Sequence, residues 1–561
     1  PVAACRDYYR DLYIAATRAY VGGFNVAFSS VVSYGNVVDT DLASAYPVAA
    51  SLMPIPDYSK PRITNDLSHL FHSLTSLDEY SKIDFEELYE HLKQCEGFPF
   101  ILGTCLADVD YPDTYQGIIT TPQRSSETGN PVFVKHLNHK QLTLIDAIDA
   151  YEHNAKVTLY SAEIPAQNWN DYNAWSNVQL RFVALRNQAK AQRGKFSPES
   201  PEYKKYDSLQ TLYKLAANTI YGGSAQAVLP KNTRSYLTNR TEKISISRVT
   251  DPVIAGTYTA ITRYLVHNLY DAVSTVYKTN VLPLNITTDG YSFMLPAGQK
   301  FSFDDVNAVF SSKLSDFYHS RLKEIGFDAG FARKGDPSDT PADVYNLRTR
   351  LNGTPNLDSL EAMGGITGMN PKTLWPIIRS GQVVLKNKAK RFSNLTAMKF
   401  GTKRSNHQSG VMLEWEQLVN VPLQYDCSYK PFKWIDNRWP GYGFTAVPFN
   451  TVEEHDTWKK HSKLLTDRWN IMQRPEYFKS YLDTINRYSF ARTEKTLDAA
   501  DYAARVQYVL DRVNGKQVPT NRKFKNTLYS TQQAIKTGAK LPICPLAIYD
   551  NWKLKGDAND E

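Results

Sequence analysis

The sequence predicts an α+β fold, an antiparallel sheet flanked by long helices, and three observations predict it. Residues 36–41 (NVVDTD) form a short, β-branched, alternating run, a strand signature that delivers Asp41 to a strand end. Residues 280–295 read as two strands meeting at a tight turn near Thr288, Asp289 and Gly290, which makes an antiparallel hairpin with Asp289 at its tip. Helical periodicity dominates the stretches between, at residues 169–193, 202–221 and 257–277.

Each element has its own justification. From residue 64 to 94 apolar side chains recur at three and four (Leu67, Leu70, Phe71, Leu74, Leu77), so helices are expected, followed by strands at 98–107 and 157–161. Residues 194–201 carry Gly, Ser and two Pro and predict a turn between two helices; the second places Leu209, Leu212, Tyr213 and Ala216 on one face. Residues 383–407 alternate apolar residues with Lys386, Lys388, Lys390, Arg391, Lys399, Lys403 and Arg404, the pattern of a basic hairpin. From residue 451 the pattern is mainly helical, ending in a basic stretch at 521–525 and a polar, frayed tail at 556–561.

With 561 residues the chain is long enough for three or four lobes around substantial cores. No run approaches the roughly 18 apolar residues that span a bilayer, so a membrane role is not expected. The formal charge of +8 favours a polyanionic partner. Cys5, Cys95, Cys105, Cys427 and Cys544 are odd in number and lack CxxC spacing, which points away from a disulfide framework or structural zinc and towards a reducing compartment. Pro1 stands where an initiator Met would, and no signal-peptide pattern follows, as in a trimmed product or a fragment of a longer chain.

Transfer of a nucleotidyl group needs divalent metals held by hard oxygen ligands, and two carboxylates from separate strands supply such ligands. The fragment Asp41-Leu42-Ala43-Ser44-Ala45-Tyr46-Pro47 resembles motif A (D-x-x-S-L-Y-P) of family B DNA polymerases, with Ala45 in place of Leu. Lys214 to Gly222 (KLAANTIYG) resembles motif B, K-x-x-x-N-S-x-Y-G, with Thr219 for Ser; Lys214, Asn218 and Tyr221 are spaced by four and three and share one helix face. Residues 285–290 (NITTDG) look like motif C, Y-G-D-T-D-S, with Asp289 matching its second carboxylate, Thr287 replacing the first and Gly290 replacing Ser. Tyr20-Val21-Gly22-Gly23-Phe24 matches the Y-x-G-G-F element of the protein-primed phage and plasmid branch. The four elements occur in family order, and 75 residues separate Lys214 from Asp289, as in protein-primed members that carry a strand-embracing insert there.

The resemblance covers roughly residues 14–425, and it implies a right-hand polymerase fold with palm, fingers and thumb. Residues 1–35 would be a linker with the Y-x-G-G element, 36–165 palm with an inserted subdomain, and 166–225 fingers. Residues 226–300 would hold the strand-embracing insert (226–250) and the palm with motif C, 301–362 the rest of the palm, and 363–430 the thumb, entered through Met363 to Met369. Residues 431–561 form a mainly helical region without an assigned role. In this family two Mg²⁺ ions, with Mn²⁺ as a substitute, are bound by Asp41, Asp289 and the Leu42 carbonyl; Asp41 and Asp289 would be the catalytic residues. Nucleotide binding falls to Tyr46 as steric gate against a ribose 2′-OH, to Arg186 and Lys190, one helical turn apart, and to Lys214, Asn218 and Tyr221. DNA binding falls to Tyr20, Gly22, Gly23, Gly222, Lys386, Lys388, Lys390 and Arg391. The implied partners are template–primer DNA, dNTPs and, in the protein-primed branch, a terminal protein or other replication protein. The implied setting is the cytoplasm of a bacterial host, on behalf of a phage or mobile element.

Departures from the pattern carry their own expectations. Thr287 removes one negative charge from the metal site, and Asp39, on the same strand face as Asp41, is the candidate to restore it. Asp343-Val344-Tyr345 occupies the place of the family's Lys-x-Tyr element with the charge reversed. Asp84-Phe85-Glu86 has the D-x-E spelling of an exonuclease motif but follows motif A and lies in a helix-periodic stretch; with 19 residues before Tyr20, 3′→5′ editing is not expected of this chain. Two readings stay open: an active DNA-directed DNA polymerase, or a degenerate family B scaffold that binds DNA or a replication partner without catalysis. A reverse transcriptase or RNA polymerase also uses palm carboxylates, but Tyr46 and the K-x-x-x-N-T-x-Y-G helix argue against it.

Overall fold

The structure, a computed structural model, describes residues 9–58, 83–127, 129–169, 174–229, 246–326, 330–333, 343–353 and 438–456, together with short pieces at 232–234, 241–243, 361–363, 386–393, 414–421, 432–435, 508, 512, 517–526, 528–529 and 532–533. Its centre is a five-stranded antiparallel sheet built from β1 (Phe24–Ala27), β3 (Val37–Leu42), β4 (Leu282–Thr288), β5 (Gly290–Met294) and β6 (Phe331–Arg333), in the order β1-β4-β5-β3-β6; β2 (Ser29–Tyr34) lies between β1 and β3 in the chain but joins another sheet. Because the side-chain period of a strand is two, β3 sends Val38, Thr40 and Leu42 to one face and Asp39 and Asp41 to the other. The first set is buried against the core with Val26, Ile286, Tyr291 and Phe293 from the neighbouring strands.

The helices that matter for the site are α1 (Arg10–Ala19), α2 (Ala45–Leu52), α3 (Leu144–Glu152), α4 (Ala174–Arg193), α5 (Pro201–Ser224) and α6 (Pro252–Tyr277). Helix α6 is buried along nearly its whole length, consistent with an apolar pattern that wraps every face. It begins five residues before periodicity alone predicts, because Asp251 caps it, accepting from the amides of Val253 and Ile254, and Pro252 occupies the first turn, where its missing N–H costs nothing. Helices α4 and α5 form an antiparallel hairpin: Ser200 caps α5 by accepting from Tyr203 N, and Arg193 pairs with Asp207 at 2.6 Å across the turn. Trp169 is not helical, and helix α4 is described from Ala174.

Strand β2 pairs with β7 (Asp343–Arg348), which pairs with β8 (Leu351–Gly353), in a six-stranded sheet. That sheet packs on the central one through Val31, Leu282, Leu284, Met294, Val344, Ile435 and Trp439. Asn346 bridges them, donating to the Leu284 carbonyl at 3.1 Å and to the Ser29 carbonyl. A separate four-stranded sheet contains Thr104–Asp110, His136–Thr143 and Lys156–Glu163.

Two sequence expectations are corrected. The apolar run from Phe98 to Leu102 is not strand; Phe100 and Leu102 are buried while the backbone turns, with Phe100 N bonded to Gly97 O. The basic segment Lys386–Ser393 is a strand, but its partner is Glu414–Val421, beyond the expected limit at 407. The helices expected over 64–82, the thumb-entry residues 364–369 and the frayed tail at 556–561 lie outside the described residues. Among the described residues no helix is long and apolar enough to cross a membrane.

Candidate active site

The backbone brings the two acidic residues singled out by sequence, Asp41 and Asp289, to one end of the central sheet. Gly290, the residue after Asp289, stands opposite Asp41 in the β5–β3 register, and the Leu42 amide donates to the Asp289 carbonyl at 2.8 Å. The hairpin tip is a three-residue turn in which Asp289 N donates to Thr287 O at 2.8 Å around Thr288, whose φ of 63° is unusual for a β-branched residue. Cross-strand partners share a face, so Asn25, Thr287, Gly290, Asp41 and Ala332 form one row across the sheet. Asp39 lies on the same face, roughly 7 Å along the strand from Asp41. It is buried and accepts from Ser292 Oγ at 2.6 Å.

The polar groups of this row are hard oxygens, with no thiol or imidazole in it, which fits divalent magnesium or manganese and not a soft metal. Asp41 and Asp289 are both half-buried, so their charges are only partly screened by solvent.

Beside the carboxylates stands a tyrosine cluster. Tyr46, in the first turn of α2, stacks on Tyr221 in the last turn of α5, with centroids 4.5 Å apart and planes at 15°. Tyr221 and Tyr20 share a hydroxyl–hydroxyl hydrogen bond of 3.1 Å, and Tyr258 packs edge-on against Tyr221. Burial, and next the charge of Asp289, push the Tyr46 hydroxyl up to about 12, so the ring sits within electrostatic reach of that carboxylate. Burial and then Tyr20 push Tyr221 up as well.

The α4–α5 hairpin gathers cations. Lys190 is held below the usual lysine range by partial burial and then by Arg186, Arg193 and Lys214, which places these side chains in one neighbourhood across α4 and α5. The Arg186 Nε is buried without a hydrogen-bond partner among the described residues, an orphaned donor of the sort an anionic ligand satisfies. Lys214, Asn218 and Gly222 are exposed on α5. Lys386, Lys388, Lys390 and Arg391 all belong to the Lys386–Ser393 strand, whose side chains lie outside the described residues.

Sequence reasoning missed the group that holds the Tyr20–Phe24 segment in place. Arg263 on α6 is fully buried and grips the Asp146 carboxylate through Nε and Nη2 at 2.9 and 2.8 Å. Its Nη1 donates to the carbonyls of Val21 and Gly22, both at 2.9 Å, and Thr259 Oγ1 donates to Val21 O at 2.6 Å. A Cβ on Gly23 would stand 2.8 Å from Thr288 Cγ2, so this segment and the Asp289 turn are in close backbone approach. The signal was present in part: Arg263 is the one Arg or Lys of the long, largely apolar α6, and a buried guanidinium must find a charged partner.

A second group of potential metal ligands, Asp149, His153 and His267, joins α3 to α6. Its ligand atoms lie within 4.8 Å of one another, and the two imidazoles stack at 3.5 Å. Protons already satisfy it: Thr120 donates to Asp149 at 2.8 Å, and His153 sits between the Asp149 carbonyl (2.6 Å) and the Asp271 carboxylate (3.1 Å). Burial alone would lower the His153 pKa, but Asp149 and Asp271 outweigh it and hold the imidazolium up to about 10. Asp149 lies well below the usual carboxylate range, because His267 and His153 overcome the opposing effect of burial. Imidazole donors differ in kind from the oxygen row at Asp41, and this group shares no residue with it.

No family model and no curated protein matches the chain. Solved structures to which it is similar are DNA polymerases. The Phi29 DNA polymerase in its ternary complex with primer-template DNA and incoming nucleotide substrates is 13% identical, with a TM-score of 0.40, over 74% of this chain and 65% of that one. An orthorhombic crystal form of the Phi29 polymerase gives 13% identity and a TM-score of 0.39 over 68% and 60%. The family B DNA polymerase of the hyperthermophilic archaeon Pyrobaculum calidifontis gives 11% and 0.23 over 94% and 40%. The chain thus spans less than two thirds of the length of each of these polymerases.

Proposed function

We propose that this chain is a DNA-directed DNA polymerase of the family B type, adding deoxynucleotides to a primer 3′-OH at Asp41 and Asp289. The observation that supports the reading is the backbone register that sets Asp41 of β3 beside Asp289 at the tip of the β4–β5 hairpin, near the stacked Tyr46 and Tyr221. Asp41, Asp289 and the Leu42 carbonyl would hold two Mg²⁺ ions, which supply charge neutralisation for the attacking and leaving oxygens. The work of the chain's own groups is positional. Arg186, Lys190 and Lys214 form a cationic cluster for the triphosphate, with Asn218 one turn further along α5. Tyr46, packed flat on Tyr221, has a fixed ring edge against which a ribose 2′-OH would collide. In this reading the central sheet is the palm and the α4–α5 hairpin the fingers.

Thr287 favours a second reading, a scaffold that binds DNA without catalysis, since one motif carboxylate is missing. Asp39, on the same face and hydrogen-bonded to Ser292, is the group that offsets this loss in the active reading. Primer extension with Mg²⁺ or Mn²⁺ separates the two. Asp41→Ala and Asp289→Ala should each lose several decades of rate, at about 1.4 kcal/mol per decade, while keeping the wild-type circular dichroism, and Asp39→Asn should alter the metal dependence. A wild-type protein that makes no product with either metal refutes the polymerase reading.

A further inference from the structure

We propose that Arg350 is a DNA-positioning residue that binds a backbone phosphate of the primer strand, a few nucleotides upstream of the 3′ end. The proposal rests on the polymerase reading above.

Arg350 occupies the turn between β7 and β8 with φ at 59°, the left-handed region that non-glycine residues rarely adopt. The turn thereby aims an exposed guanidinium back over the central sheet, where its Nε donates to Asn25 Oδ1 at 3.2 Å. Asn25 is anchored in turn: its Nδ2 donates to the Gly23 carbonyl at 2.8 Å, and Thr288 Oγ1 lies 3.5 Å from its Oδ1. The guanidinium is therefore tied both to the Tyr20–Phe24 segment and to the turn that carries Asp289. Among the described residues no carboxylate pairs with it, and its two terminal nitrogens have no protein partner. A planar fork held at one nitrogen, with two donors left outward, suits bidentate capture of a phosphate.

Position selects the primer. Asn25 and Asp41 stand in the same cross-strand row, three strand intervals apart, or roughly 14 Å at about 4.8 Å per interval. A primer strand whose 3′-OH reaches Asp41 and whose backbone runs along that row passes Arg350 a few nucleotides back from its end. Thr287 and Gly290, the residues of the row between Asn25 and Asp41, are themselves uncharged.

The test measures template–primer binding by fluorescence anisotropy from low to moderate salt for wild type, Arg350→Gln and Arg350→Lys, with primer extension run alongside. Arg350→Gln should weaken binding about tenfold and make the slope of log affinity against log salt less steep by about one unit. Arg350→Lys should restore the salt slope but not the full affinity, because a point charge replaces a fork. Neutral methylphosphonate linkages, walked along primer and template in turn, should find one primer linkage whose neutralisation weakens wild type and leaves Arg350→Gln unchanged. An unchanged salt slope in Arg350→Gln, or a sensitive linkage in the template strand, overturns the assignment while leaving the polymerase reading intact if wild type extends primers. A wild type that binds DNA but extends no primer overturns the polymerase reading instead, and the primer assignment with it.

Discussion

Replacing Arg263 with Met removes a guanidinium that is 0% exposed and leaves an apolar side chain about as long as the stem that carries it. Four hydrogen bonds vanish, two to the Asp146 carboxylate and one each to the Val21 and Gly22 carbonyls. Asp146, itself 1% exposed, keeps the Thr143 hydroxyl at 2.7 Å but becomes a buried charge without its paired guanidinium. Removing one partner from a buried pair costs about 3–5 kcal/mol, a large fraction of the roughly 5–15 kcal/mol that holds a typical domain together. Asp146→Leu should cost a similar amount. The double variant should lose clearly less than the two single losses added together, since neither charge is then left alone. Equilibrium urea denaturation followed by tryptophan fluorescence gives all three values, and template–primer affinity should fall in the same variants because the Tyr20–Phe24 segment loses its anchor. A loss below about 1 kcal/mol for Arg263→Met, or strict additivity in the double variant, would refute this reasoning.

The paired glycines should part company. Gly22→Ala meets no atom within 4 Å and should leave stability within about 0.5 kcal/mol, whereas Gly23→Ala drives a methyl group into Thr288 and should cost about 1–3 kcal/mol and depress primer extension; thermal melts and extension rates check both. The His153 network should give the protein a pH signature. With its folded pKa raised to about 10, above the roughly 6.5 of the unfolded chain, its contribution is complete below about pH 6.5 and is lost as pH rises through about 10. Asp271, depressed to about 2 by His153, His267 and Lys313 despite its burial, contributes above about pH 4 and loses that contribution as pH falls through about 2. Melting temperatures from pH 6 to 10 should therefore fall more steeply for wild type than for His153→Gln, and equal slopes would count against the network.

Much of this architecture was legible from local pattern. Strand β3, the β4–β5 hairpin and the α4–α5 pair follow from periodicity and turn residues, and Lys214, Asn218 and Tyr221 lie within one helix, α5. What was not legible depends on partners distant in sequence. Asp146 and Arg263 lie 117 residues apart, and only the packing of α3 on α6 joins them. The run from Phe98 to Leu102 has the composition of a strand but finds no neighbouring strand, and instead fills the core as a turn. Arg350 and Asn25 lie 325 residues apart, and only the β7–β8 turn brings them together.

The turn at Thr288 bears on how such a site tolerates change. Both main-chain hydrogen-bonding groups of Asp289 are occupied, the amide by Thr287 O and the carbonyl by Leu42 N. Its place is thus written in peptide geometry and not in the chemistry of adjacent side chains. Side chains at 287 and 290 can vary while the acid keeps its station opposite β3, so strand alignment is the feature that natural variation would have to leave alone.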